Sequence, residues 1–323
     1  MSVININLFS MMLRRTIDVT VVLPDKINDD EKLPCVWLYH GGSGDHTEWL
    51  YHTSLVDTVN ERHFAAVLPE VFESCFVNMN IGDRYESFVA KELPSTIHNM
   101  FACISDDRKY NYVSGFSNGG YGCLHSALKY PSTFSKVGAF SAGDKADSVF
   151  VNDNSTKAKN RILLFGDKDI HNTDYCLTYL ADKLITDNKK ALAPDIYHAC
   201  GSLDPWLDMN HIVRDYFLEH NDFYNYTYDE LEGLGHEWKF WDIELQKFLD
   251  YAGLPVVIFI QHCIYPAIIC NTFIIIIDKA FYSCHLHSTI KRLLFNRVVA
   301  ALFILIQYNS LIKLPQYYIS KCF

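Results

Sequence analysis

A β-type run that meets a glycine-flanked serine and passes straight into a helical segment constrains this chain more than any other feature: Tyr112-Val113-Ser114-Gly115-Phe116-Ser117-Asn118-Gly119-Gly120-Tyr121-Gly122. A serine on so sharp a strand-to-helix turn projects its hydroxyl above a sheet, and the flanking glycines remove Cβ atoms that the bend would bring into collision. The turn also opens a helix, whose first N–H groups lack intrahelical acceptors and favour negative charge nearby. G-x-S-x-G alone recurs in ordinary turns. With a strand before it, a helix after it and the additional Gly120, Ser117 becomes a nucleophile candidate.

Such a turn needs a sheet around it, and the chain supplies one. Short β-rich runs at Val19–Leu23, Pro34–Tyr39, Phe64–Leu68, Tyr110–Gly115, Lys136–Phe140 and Ile196–Cys200 alternate with segments of helical period, among them Arg84–Phe101 and Tyr121–Tyr130. That alternation predicts an α/β fold: a mostly parallel sheet with helices on both faces. Among 323 residues, 49% are hydrophobic and 20% charged, enough for a large core and against disorder. The formal charge of −10 and the lack of any Lys/Arg-rich run exclude a nucleic-acid surface and leave small molecules as the default partner. Ten scattered cysteines with no C-x-x-C pair suggest neither a disulfide framework nor a zinc site, so a reducing compartment fits. The opening MSVININLFSMMLRR has its arginines on the wrong side of its apolar residues for a signal peptide, and the expected location is cytoplasmic.

Residues 1–254 read as one catalytic domain. Beyond Leu254 the alternation stops, and PVVIFIQHCIYPAIICNTFIIII carries no charge. Residues 255–323 read as a non-native extension, such as a frame error or readthrough, with a membrane segment as the alternative and the one route to membrane contact.

An oxyanion at Ser117 needs two N–H donors. Asn118 supplies one, and the turn after an earlier strand, Tyr39-His40-Gly41-Gly42-Ser43-Gly44, supplies Gly42 as the second. No G-K-[ST] follows these glycines, so they do not form a phosphate loop. In chains built on this elbow the acid and then the histidine follow the serine. His125 falls in a helix and His198 in a strand; His211 and His220 share a helical stretch. His236 stands in a glycine-rich turn, Glu232-Gly233-Leu234-Gly235-His236-Glu237-Trp238, between the run Tyr224–Leu231 and the last helix, and is the expected base. Two acids rival each other, Asp169 after Phe165-Gly166 and Asp204 after Cys200-Gly201, each read as following a short strand. One helix, one strand and the histidine turn should follow the acid, which selects Asp204 to hold the imidazole tautomer.

These motifs resemble the tributyrin-esterase or acetylesterase branch of the esterase D and S-formylglutathione hydrolase superfamily, over most of residues 1–252. The likeness rests on VININLFS, LYHGGSGDHTEWL, YESFVAKELP, GFSNGGYGCLHSALKYP, CGSLDPWL and GLGHEWKFWDIELQKFL. It implies an α/β-hydrolase fold and a serine carboxylesterase for short acyl groups that needs neither metal nor organic cofactor. An S-formylglutathione-type thioesterase and an inactive ligand-binding fold are the rivals, and a homo-oligomer stays open. The family often carries methionine where Asn118 stands and an apolar residue where Gly42 stands. Backbone donors survive both changes, while the pocket wall is expected to be more open. Trp49 and Trp206, placed on loops, and Trp238 are the expected pocket aromatics, although Trp238 with Trp241 reads first as packing for the last helix.

Overall fold

The computed structural model describes residues 2–147 and 156–256. Strands β1 (Ser2–Ser10) and β2 (Arg15–Leu23) form an antiparallel hairpin; β3 (Cys35–Tyr39), β4 (Ala65–Pro69), β5 (Asn111–Phe116), β6 (Lys136–Phe140), β7 (Asp195–Gly201) and β8 (Tyr226–Leu231) are mutually parallel. They hydrogen-bond in the order β1-β2-β4-β3-β5-β6-β7-β8, with β2 antiparallel to β4. β3, β4 and β5 are buried at every position, as strands covered on both faces must be. Successive side chains feed two cores: Trp37, Val67 and Val113 point into one, Val36, Leu38 and Tyr112 into the other.

Nine α-helices are described, α1 (Glu48–His52), α2 (Leu55–Arg62), α3 (Tyr85–Ser87), α4 (Leu93–Met100), α5 (Asn118–Lys129), α6 (Thr156–Phe165), α7 (Leu177–Thr186), α8 (Leu207–Glu219) and α9 (Trp238–Ala252). Helix α5 packs in the first core through Tyr121, Leu124 and Leu128, and α9 in the second through Phe240, Leu245 and Phe248. The helix expected over Arg84–Phe101 is present with a π-turn at Phe88–Glu92 between α3 and α4. Pro94 has no N–H to offer the Ala90 carbonyl, which takes the Thr133 hydroxyl instead at 3.3 Å.

Two elements differ from expectation. Strand β1 is absent from the runs that the sequence pattern predicts; its residues alternate between exposed and half-buried, so it covers an edge without a strongly apolar face. The run before Gly166, read as a short strand, is the end of α6. Gly166 at φ +85° closes that helix with its N–H on the Ile162 carbonyl at 2.9 Å.

Helix α9 stops at Gly253, φ +83°, and the buried Leu254 gives its carbonyl to Arg62 Nη1 at 2.7 Å. Contacts within the chain gather Met1–Ile258 into one unit. The expectation for the tail falls, from residue 257 on, outside the described residues. Among the described residues no helix is long and apolar enough to cross a membrane.

Candidate active site

The bend between β5 and α5 holds Ser117 at φ +56°, ψ −119°, a conformation that costs a non-glycine residue about 1–3 kcal/mol. Its N–H is fixed on the Phe140 carbonyl at 2.9 Å, and its carbonyl accepts the Tyr121 N–H at 3.0 Å. The glycines around it are dictated by space. A Cβ on Gly115 would stand 2.5 Å from the Gly119 carbonyl oxygen, one on Gly119 2.4 Å from that of His40, and one on Gly120 2.6 Å from that of Phe140.

Ser117 Oγ lies 3.0 Å from His236 Nε2, and His236 Nδ1 lies 2.9 Å from Asp204 Oδ2. An ionised carboxylate only accepts, so Nδ1 carries the ring proton and Nε2 is left to accept from the serine hydroxyl. Burial raises the Asp204 pKa, but hydrogen bonds from His236, the Trp206 N–H and the Ser141 hydroxyl outweigh it and hold the carboxyl below its ordinary value. The Trp206 N–H meets Oδ1 at 2.8 Å, leaving Oδ2 to the imidazole. Ser141 is in turn held by Trp241 Nε1 at 3.1 Å, and the Trp241 ring stands perpendicular to the His236 ring at 5.0 Å. Trp241 thus touches His236 directly and reaches Asp204 through Ser141. Sequence reasoning missed Ser141, which sits one residue past β6 at φ +53°.

The competing residues lie elsewhere. Asp169 is exposed and pairs with its neighbour His171 at 2.5 Å. His198 is buried between Tyr226 and Asn210, His125 meets the Asp174 carbonyl, His211 pairs with Glu230 and His220 caps the Tyr216 carbonyl.

Gly42 and Asn118 adjoin. A Cβ on Gly42 would come within 2.7 Å of Asn118 Nδ2, so the carboxamide occupies the space an apolar side chain at 42 would fill. The Asn118 amide thus forms part of the wall at the position where an apolar residue 42 would stand. Lys145 Nζ donates to Asn118 Oδ1 at 2.9 Å and fixes that amide. Asn118 is the first residue of α5, so its N–H has no intrahelical acceptor. His40 Nδ1 donates to the Gly41 carbonyl at 2.7 Å while its Nε2 accepts the Val71 N–H at 3.2 Å, which fixes the loop ahead of Gly42.

A cavity of about 290 Å³ opens on Ser117, lined among others by Asn118, Ser141, Lys145, Arg161, Trp206 and Met209. Of the three expected aromatics only Trp206 lines it. Trp49 sits in α1 rather than on a loop and is 1% exposed, with Nε1 on the Tyr39 carbonyl and its ring against Phe116 and Trp238. Trp238 stacks on His52 at 4.6 Å and packs on Phe116 and Trp241, so it joins this aromatic cluster. Among the described residues no group of three or more His, Cys, Asp or Glu side chains could hold a metal ion.

An eight-stranded, mostly parallel sheet with a serine on a strained strand-to-helix turn and a histidine against its hydroxyl defines an α/β-hydrolase-fold serine hydrolase. Residues 10–249 match the family model described as "Putative esterase". An acetyl esterase of Caldicellulosiruptor saccharolyticus is 29% identical over 269 residues, covering 78% of this chain and 98% of the relative. Two Staphylococcus aureus structures are similar, each at 26% identity over 78% of this chain and 98% of the other: fluorophosphonate-binding serine hydrolase F, TM-score 0.70, and an S-formylglutathione hydrolase, TM-score 0.68. This chain belongs to that esterase family, within the esterase D and S-formylglutathione hydrolase superfamily, and is a serine carboxylic ester hydrolase.

Proposed function

We propose that the chain hydrolyses short-chain acyl esters, acetyl to butyryl, with Ser117 as nucleophile, His236 as base and Asp204 as its orienting acid. The observation that carries this is the unbroken relay from Ser117 Oγ through His236 to Asp204, at 3.0 and 2.9 Å. His236 Nε2 takes the hydroxyl proton as Oγ bonds to the ester carbonyl carbon. The carbonyl electron pair moves onto oxygen, where the Gly42 and Asn118 N–H groups receive the charge. Collapse of this tetrahedral species expels the alcohol, which takes the proton from His236 and leaves an acyl group on Ser117. Water, deprotonated by the same imidazole, then attacks the acyl carbon, and the returning proton frees Oγ and a carboxylic acid.

A cavity of about 290 Å³ suits a small acyl group together with a modest alcohol, and the acetyl esterase relative points the same way. The six described cysteines are all free thiols, which fits a reducing, cytoplasmic setting. Ser117→Ala should abolish fluorophosphonate labelling and lower turnover of an acetyl ester by roughly 10⁴-fold or more while the fold persists. A folded Ser117→Ala protein with near-normal turnover refutes the assignment. A steep fall in kcat/KM between butyryl and octanoyl esters supports the short-acyl reading, and preference for formylglutathione over acetyl esters would move the enzyme to the thioesters.

A further inference from the structure

The chain carries a formal charge of −10, yet the cavity at Ser117 is lined by two cations, neither of which meets a carboxylate among the described residues. Lys145 spends its Nζ on the Asn118 amide oxygen at 2.9 Å and lies over the Tyr121 ring at 5.6 Å. Arg161 is only 9% exposed; its Nη1 reaches the Gly166 carbonyl at 3.2 Å, and its Nε is buried with no hydrogen-bond partner. A guanidinium taken out of water without a counter-charge is a costly arrangement, and a bound anion would offset that cost. The one carboxylate of the lining, Glu73, is exposed and accepts the Ser43 N–H. Two cations beside a nucleophile, without a carboxylate partner among the described residues, would also draw a negatively charged substrate toward an otherwise acidic protein.

We propose that this cavity takes an ester bearing a carboxylate, with Lys145 and Arg161 as the anchors of that carboxylate. The proposal rests on Ser117 being the nucleophile. Two matched pairs of substrates test it and separate the two places the charge can sit. Monoethyl succinate against ethyl butyrate puts the carboxylate on the acyl side, and 4-acetoxybenzoate against its methyl ester, followed by acetate release, puts it on the alcohol side. The full-length enzyme should favour the charged member of one pair in kcat/KM by roughly tenfold or more, as a charge-assisted contact in a partly dry site requires. Added salt should erode that preference. Lys145→Met and Arg161→Met should each lower the charged-to-neutral ratio roughly tenfold, while Lys145→Arg and Arg161→Lys should retain most of it. Arg161→Met removes a buried side chain and can unfold the protein; Lys145 is half-exposed, so its variants keep the test decisive. Equal rates or a neutral preference in both pairs, or a ratio untouched in Lys145→Met, overturns the proposal. If no ester is turned over and Ser117 takes no fluorophosphonate, the nucleophile assignment itself has failed, whereas brisk hydrolysis of neutral esters with no charge preference defeats only the anionic site.

Discussion

Replacing Asp204 by asparagine tests the site most sharply, because the structure dictates which way the new amide must face. The Trp206 N–H donates to Oδ1 at 2.8 Å, so in Asp204→Asn the amide oxygen stays on that donor. The NH₂ group is then turned toward His236 Nδ1, now 2.9 Å from Oδ2. An amide NH₂ cannot accept, so Nδ1 must give up its proton and the imidazole takes the opposite tautomer, with hydrogen on Nε2. That nitrogen can no longer receive the Ser117 proton. Loss of the base function and of the carboxylate that stabilises the imidazolium should cost about 10⁴-fold in turnover, roughly 5 kcal/mol of barrier. Shape is conserved, so circular dichroism and substrate KM should change little while kcat on an acetyl ester collapses and fluorophosphonate labelling slows. Asp169→Asn, on an exposed residue paired with His171, should leave kcat within about twofold. An Asp204→Asn enzyme within tenfold of the parent, or an Asp169→Asn enzyme that is the worse of the two, refutes the reasoning.

Gly201→Ala should cost well over 1 kcal/mol in urea unfolding and reduce kcat, because its Cβ would stand 2.3 Å from the Leu234 carbonyl oxygen and push the histidine turn away; normal turnover would show that the turn yields at no cost. Gly42→Leu should raise KM, since its Cβ would meet Asn118 Nδ2 at 2.7 Å and force that amide off Lys145; an unchanged KM would mean that the Asn118 amide does not shape the acyl site. Burial pushes His198 down to about 4, so the folded state resists a proton that the unfolded chain accepts near 6.5. The unfolded state therefore binds more protons in this window, and stability is fully present above pH 6.5 and lost by about 3 kcal/mol as pH falls to 4. Urea midpoints at pH 7 and 4.5 should converge between the parent and His198→Gln at the lower pH relative to the higher, and parallel losses in the two proteins would sink the account.

The sequence made the elbow legible because its constraints are local: a β run, a glycine on either side of a serine, and a helical period after it all fall within Tyr112–Gly122. The proposal of Asp204 over Asp169 rests on counting, since β7, α8, β8 and the histidine turn follow one another without insertion, and Asp204 is the carboxylate that lies against His236 Nδ1. Signals that depend on tertiary context are ambiguous in the sequence. Ile162-Leu163-Leu164-Phe165 is apolar at four consecutive positions, which periodicity alone cannot divide between strand and helix, and it proved to be helical. Trp49 looked like a pocket residue from its position after the glycine loop, but its indole N–H reaches the Tyr39 carbonyl and takes the ring into the core. Ser141, Lys145 and Arg161 had no motif to announce them. They meet at one cavity only because β6 ends beside β5 and because α6 runs past it, facts of tertiary packing.

The order of strands explains why the site can be assembled at all. Parallel strands present their carboxyl ends along one edge, and residues placed just beyond those ends come into register without further design. Across β3, β5, β6, β7 and β8 that edge carries Gly42, Ser117, Ser141, Asp204 and His236 in turn. Neighbouring strands thus put Gly42 beside Ser117, and Ser141 and Asp204 beyond it. His236 starts farthest away, after the outermost strand, yet it must reach back across β7 and β6 to touch Ser117. The turn does so by lying down on the end of β7: the Leu203 N–H bonds to the Leu234 carbonyl at 2.9 Å, and the Gly233 N–H to Ser202 Oγ at 2.9 Å. That approach is open only because residue 201 has no side chain. Trp241, one turn into α9, then fixes the far side of the imidazole while its N–H holds Ser141. His236 is therefore held from the strand end beneath its turn and from the helix behind its ring.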